Sequence, residues 1–395
     1  MIHNISNSNS NQKFNIFQDS SKKILYDFIK NQAHQQISSY NLSFQNIMNL
    51  FQPPHFKDYL TDMMLFIIYS NKQLHIIFQN KGDSRKKIIV KIITQIFKDI
   101  LHNSDDKQHI DDMFIPFYIC DTHYYHNEEI PFFVESKPRN AKGILFPDSS
   151  NFNIKLNNKI IHYNNFINIL KHKKCTNIQD KKPIIYFSGA DTGHNKHNIR
   201  WKLKEIIAEN KDSNYKIHID EGYYPMYDFC KYKYLLNLPG HQPWSYRLMK
   251  ILPMGSLVID VNVLQYFNET SNQHNEQWIQ CYVDFFKKDI DYIQIDYPWI
   301  EKKTKNSNVY QLYEQINQIF NFFQQNSSKY NKITKSAVSK SNMLNEQVYH
   351  DTFIYLILIF NYHLYTKNNT NSIQPLLQFF LQHPICQNYI QTINL

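Results

Sequence analysis

Apolar residues fall in short runs along this chain, and polar stretches with helical spacing separate them. In the second half, Ile184–Phe187, Lys216–Ile219, Tyr232–Leu238 and Leu257–Val261 read as buried strands. Trp201–Glu209 and Trp244–Ile251 repeat with the period of a helix between them. Strand and helix alternating in this way predict a parallel sheet with crossover helices. Upstream, Met63–Tyr69, Leu74–Phe78, Phe114–Cys120 and Ile130–Val134 are further strands. Lys91–Leu101 and Asn165–Leu170 are helices, and Asn151–Ile161 is an exposed loop or hairpin. Val309–Phe323 and Glu346–Leu358 are the last long helices. The polar DKKP segment at Asp180–Pro183 looks like a hinge. The expected organisation is a disordered tail over 1–15, one α/β lobe over 16–180, a second over 181–330 and C-terminal helices over 331–395.

The stretch Phe229–Val258 carries the most chemistry. It reads as a strand, a turn at Gly240–Pro243, a helix opening near Ser245, and the next strand. A helix start offers unpaired N–H groups and partial positive charge. With Ser245 and Arg247 at that start, the natural ligand is an anion such as a diphosphate. The plain alternative is an ordinary αβ unit with Arg247 as a solvated charge. A second stretch, Tyr186–Arg200, follows a strand directly; Gly189 and Gly193 let backbone approach a ligand there, while Thr192 and Arg200 suit phosphate.

These two stretches resemble glycosyltransferase family 90. Lys231–Tyr234, Asn237, Gly240, Ser245, Arg247, Leu252 and Gly255–Val258 follow the family's phrase in order, and Gly189, Thr192, Gly193 and Arg200 match a second block. Ser188 stands where the family commonly has arginine. The resemblance runs from about residue 114 to 358 and implies the glycosyltransferase B type of α/β fold, two Rossmann-like lobes facing a cleft. It implies a UDP-sugar as co-substrate, with no cofactor and no metal, bound by Gly189, Thr192, Gly193, Arg200, Tyr232, Gly240, Ser245 and Arg247. Asp220 and Tyr224 are weaker candidates for the nucleoside.

Inverting transfer needs a base for the acceptor hydroxyl. In the family a catalytic Asp follows a first-lobe strand within a phrase like NxRDxP. Here the corresponding CDTHYYH lacks the arginine and the proline. Asp121 is the expected base, His123 the next choice, with Glu128, Glu129 or loss of the base remaining open. Ile144–Pro147 resembles the family's segment after the base strand, and Tyr292-Ile293 its closing section. Asp289-Ile290-Asp291 spells a DxD triplet, read as surface carboxylates, and the 18 histidines contain no HExxH.

Composition changes this picture little. A net charge of +9 would draw in an anionic donor or nucleic acid, but no nucleic-acid motif accompanies it. The 28 Tyr and 28 Phe fit a large aromatic core or a sugar site. Five scattered cysteines without a CxxC pair predict reduced thiols in a cytosol-like compartment. The polar N-terminus and the lack of a long apolar stretch predict no leader and no membrane span, hence a cytoplasmic setting, a viral source being one reading of it. The expected activity is transfer of glucose or xylose from a UDP-sugar to a hydroxyl of a glycan or protein. The alternatives are a degenerate member that binds sugar nucleotide or glycan without catalysis, and a basic nucleic-acid binder.

Overall fold

The run MLFIIYS forms β1 (Met64–Ser70), buried at all seven positions. In the computed structural model the described residues are 19–38, 40, 42–49, 64–78, 84–103, 112–119, 132–139, 143–148, 154–156, 159–161, 163–175, 177–190, 199–221, 224–240, 245, 247–266, 276–300, 306–369, 372–387 and 389–395. Asn71 and Lys72 turn the chain with φ of 49° and 61° into the antiparallel β2 (Gln73–Ile77). Consecutive left-handed residues suit the twist of a two-residue hairpin. On its other side β1 pairs antiparallel with β3 (Met113–Tyr118). From β3 the sheet continues parallel through β4 (Phe133–Val134) to β6 (Ile144–Leu145), with β5 (Ser136–Pro138) between them in sequence. The last strand, β15 (Ile390–Asn394), lies antiparallel on the β2 edge.

This sheet belongs to one of two compact units, made of Met1–Lys137, Ala141–Ser149 and Gln347–Leu395. Its helices are α1 (Lys23–Ser38), α2 (Phe44–Asn49), α3 (Ser84–Asn103), α9 (Glu346–Asn368), α10 (Gln374–Gln382) and α11 (Pro384–Gln387). Phe66, Phe114 and Phe380 contact one another with ring centroids 5.8–6.2 Å apart, and Phe133 meets Phe360 edge-on. Much of the chain's phenylalanine is therefore core.

The second unit holds Pro138–Asn140 and Ser150–Glu346. It opens with the hairpin β7 (Ile154–Leu156) and β8 (Lys159–Ile161), then α4 (Tyr163–His172). Its sheet is parallel across β10 (Tyr215–Ile219), β9 (Lys182–Gly189), β11 (Tyr232–Asn237), β12 (Leu257–Tyr266) and β14 (Ile293–Ile300). A short antiparallel β13 (Glu276–Gln280) pairs with the end of β12. Crossovers run through α5 (Ile199–Glu209) and α6 (Leu248–Ile251), and α7 (Asn306–Gln325) and α8 (Ser327–Ser341) follow. One core joins Ile185, Phe187, Leu236, Ile259 and Ile295 of the sheet to Leu203, Leu312, Ile316 and Ile333 of these helices. The mixed α/β class and the parallel second sheet match expectation.

Other expectations do not match. The units divide near residue 150 rather than at Asp180–Pro183, and the C-terminal helices from residue 347 return to the first unit. The DKKP segment is no hinge, because Lys181 is buried and its Nζ donates to Cys230 O (2.6 Å), Met254 O (3.0 Å) and Ser256 Oγ (2.9 Å). Burial pushes the Lys181 ammonium down to about 7. The cysteines are not all thiols either. Cys175, in the turn after α4, is disulfide-bonded to Cys230, just before β11. Such pairs are kept in oxidising compartments, so the cysteines give no support to a reducing one. Cys281 and Cys386 are free and buried. Among the described residues, no helix is long and apolar enough to cross a membrane. The expected disordered tail over 1–15 lies outside the described residues.

Candidate functional site

Parallel α/β sheets bind ligands beyond the carboxyl ends of their strands, and in the second unit β9 ends at Gly189. A Cβ at Gly189 would stand 2.6 Å from Arg247 Nη2 and 3.1 Å from Phe187 Cζ. The guanidinium of Arg247 lies over the Phe187 ring, 4.6 Å from its centroid, and that of Arg200 lies 5.1 Å from the same ring. Glycine at 189 thus opens the space in which an arginine crosses the strand tip.

The two arginines are held differently. Arg200, in the first turn of α5, donates to Ala190 O and through Nη2 to Leu238 O at 3.3 Å, tying the β9 and β11 ends together. Arg247 Nε and Nη1 are buried and have no hydrogen-bond partner among the described residues. Burial, and next the like charge of Arg200, push the Arg247 guanidinium down to about 9. A buried arginine beside another, with donors unused, makes this spot short of negative charge. An anion with several oxygens would relieve both faults at once.

The local chain differs from the expected helix start. α6 has only four residues, Arg247 is its N-cap with φ −74° and ψ −33°, and a 3₁₀ turn over Leu252–Met254 follows at once, closed by Gly255 at φ 68°. The arginine side chain, rather than a helix terminus, therefore supplies the positive charge. Ser245 Oγ accepts from Arg247 N at 3.3 Å, and Ser245 O accepts from Gln280 Nε2 at 3.0 Å, fixing the loop before the arginine.

Other expected residues distribute as follows. Gly240 lies three residues past β11, half-buried beside these groups in sequence. Tyr232 sits at the opposite, starting end of β11, stacked on Tyr186 at 4.2 Å and nearly parallel, so it packs the sheet rather than meeting a ligand at the strand tips. Asp220 follows β10 with φ 52°, its N–H donating to Gly189 O at 3.2 Å. Tyr224 stacks on His218 at 4.4 Å. Thr192 and Gly193 lie outside the described residues, as do Asp121, His123, Glu128 and Glu129.

Of the DxD triplet, Asp291 is buried, not a surface carboxylate. It accepts from Lys287 N (2.7 Å), Ser336 Oγ (2.6 Å) and Lys340 Nζ (2.6 Å). Its oxygens are thus engaged in holding α8. Among the described residues no group of three His, Cys, Asp or Glu is placed to hold a metal ion.

Sequence reading gave no site role to four polar groups near the strand ends. His218 Nδ1 bonds to Glu221 at 2.5 Å, and Asn237 Nδ2 donates to Asp260 Oδ1 at 2.7 Å. The available signal was a polar residue at the end of an otherwise apolar strand.

The sequence profile described as glycosyl transferase family 90 matches residues 110–370, the greater part of the chain. No curated protein matches the sequence.

Proposed function

Because the chain belongs to glycosyl transferase family 90, and is therefore a glycosyltransferase, we propose that it moves glucose or xylose from a UDP-sugar to a hydroxyl of a glycan or protein. The observation that carries the donor half is the buried Arg247, whose Nε and Nη1 have no partner among the described residues and whose neighbour is Arg200. In this reading the donor's diphosphate lies at the tip of β9 against Arg247, with Ser245, Gly189, Gly240, Arg200, Thr192 and Gly193 around it.

Transfer proceeds with inversion and without a metal. The acceptor oxygen attacks the anomeric carbon as the bond from that carbon to the diphosphate oxygen breaks. A carboxylate or imidazole after β3 takes the hydroxyl proton; Asp121 is the first choice, then His123, Glu128 or Glu129. The electron pair leaves with UDP, and the charge that develops on the diphosphate meets a guanidinium already in place. A cation that burial and Arg200 disfavour gains most from the anion that forms as the bond breaks.

The test is a donor-hydrolysis and transfer screen with UDP- and GDP-sugars, read as released nucleoside diphosphate, with and without EDTA. Release from UDP-glucose or UDP-xylose, insensitive to EDTA, is expected. Arg247→Ala should lose ~2–4 kcal/mol of transition-state stabilisation, on the order of 10²–10³ in rate. Near-normal turnover in that variant, or strict dependence on manganese, would overturn the assignment. UDP binding without turnover on any donor would favour the non-catalytic alternative.

A further inference from the structure

A buried ammonium connects the disulfide to the stretch that carries Arg247. Cys230 belongs to a six-residue 3₁₀ helix, Met226–Lys231, that leads into β11. A 3₁₀ helix has poor hydrogen-bond geometry and little stability of its own. This one is held by Phe229, edge-on to Tyr186 at 4.9 Å, by Lys231 paired with Asp228 at 2.8 Å, and by the bond to Cys175. Cys175 is itself fixed in the turn after α4, where its N–H donates to Leu170 O at 3.0 Å. The disulfide therefore ties a weak element to a firm one.

The carbonyl of Cys230 is one of the three acceptors around Lys181 Nζ. The other two, Met254 O and Ser256 Oγ, lie just past α6. Lys250 N and Ile251 N donate to Arg247 O at 2.9 and 3.0 Å, and the turn Leu252–Met254 follows without a break. Arg247 and Met254 are thus the two ends of one short helical stretch. Ser256 Oγ also donates to Tyr232 O at 2.6 Å, so the start of β11 shares the knot. Burial already disfavours the Lys181 charge, and such a cation depends on every acceptor it has. Displacing the Cys230 carbonyl removes one of three and loosens the hold on Met254.

Building on the diphosphate reading of Arg247, we propose that the Cys175–Cys230 bond is a redox switch for that site. The oxidised form holds the stretch that carries Arg247, and the reduced form lets it move. In the step, a thiolate of a dithiol reductant attacks one sulfur of the bond, and the other cysteine leaves as a thiolate. The second thiol of the reductant then displaces the remaining cysteine. Two electrons pass to the protein, its two cysteines take up the protons that the dithiol gives up, and the dithiol ends as a disulfide. Entry is through the 3₁₀ segment, half-buried over residues 225–228, since short elements of this kind open locally at low cost.

Hydrogen exchange and isothermal titration with inorganic pyrophosphate decide it, on the full chain oxidised, treated with dithiothreitol, and reoxidised. Thiol titration of the folded protein counts the cysteines reduced. On reduction, the amides of residues 248–256 are expected to exchange faster and pyrophosphate to bind at least about fivefold more weakly. Both changes should reverse on reoxidation. Cys175→Ser should behave as the reduced form from the start and ignore the dithiol. Arg247→Ala should lose pyrophosphate in either state, while its exchange over residues 248–256 still responds. Equal exchange and equal affinity in the two states overturn the switch, as does a bond that dithiothreitol opens only by unfolding the chain. Pyrophosphate binding that is absent or ignores Arg247→Ala, with exchange still responding, overturns the diphosphate reading alone. Should Cys175→Ser fail to fold, the reversible wild-type comparison decides by itself.

Discussion

Arg247 Nη2 takes the place that a side chain at Gly189 would fill, 2.6 Å from the Cβ position. Nη2 is the end of a long side chain, so Gly189→Ala is expected to fold and to push the guanidinium aside. A misplacement near 1 Å can cost about 10²-fold in rate. We expect turnover to fall at least tenfold while the melting temperature shifts by only a few degrees. Unchanged turnover in a folded Gly189→Ala protein would separate Arg247 from the chemistry.

Asp260 sets a pH dependence. Burial, opposed by the bond from Asn237 and reinforced by Asp296, raises its carboxyl to about 6. The native protein therefore holds a proton here that the unfolded chain has released at about 3.9. This contribution to stability is complete below that lower value and is lost as pH rises through about 6, with an upper size of ~2–3 kcal/mol. Asp351 in the first unit is raised to about 6 as well, mainly by burial. Denaturant midpoints from pH 4 to 7 should fall in wild type and fall less steeply in Asp260→Asn. Equal slopes would mean that the carboxyl titrates normally.

Asn361 stands in for a strand. On the side of β3 away from β1, β4 pairs only at Phe117↔Phe133. Asn361 Oδ1 accepts from Phe114 N (2.8 Å), and its Nδ2 donates to Phe114 O (3.1 Å) and to Ile357 O (2.9 Å). Asn361→Leu would leave a buried N–H and C=O of β3 without these bonds, at roughly 1–3 kcal/mol for each group left unpaired. Urea unfolding should show that loss, with activity per folded molecule retained. A variant as stable as wild type would show that water reaches Phe114.

The Cys175–Cys230 bond closes a loop of 55 residues. Chain entropy alone gives such a crosslink about 4 kcal/mol. Thermal melting with and without a reductant, and of Cys175→Ser, should both show a lower transition. Identical melting curves, together with two extra titratable thiols under denaturing conditions, would show that the protein is isolated reduced.

The legible parts of this chain were those written in consecutive residues. The apolar runs of β9, β11 and β12 announce themselves, and Arg247 stands in a recognisable phrase. The shortness of the helix after Arg247 could not be read, because its length is set by Pro253 and the 3₁₀ turn over Leu252–Met254 rather than by apolar spacing. Lys181 looked like part of a polar linker, since sequence does not show that Cys230, Met254 and Ser256 bring three acceptors to its ammonium. The disulfide joins positions with no local signature. The Asn237–Asp260 pair is hidden for the same reason, its members meeting only through strand register.

The order of the two units along the chain has a consequence for synthesis. Residues 150–346 form their unit almost without interruption, whereas the other unit needs 347–395 to supply α9 and to place β15 on the edge of β2. Domains form from the N-terminus as the ribosome advances. The arginine-bearing half can therefore complete itself first, while β1, β2 and β3 wait with one edge and one face uncovered. In that interval the nascent first sheet is the part of the molecule most exposed to pairing with a neighbouring chain.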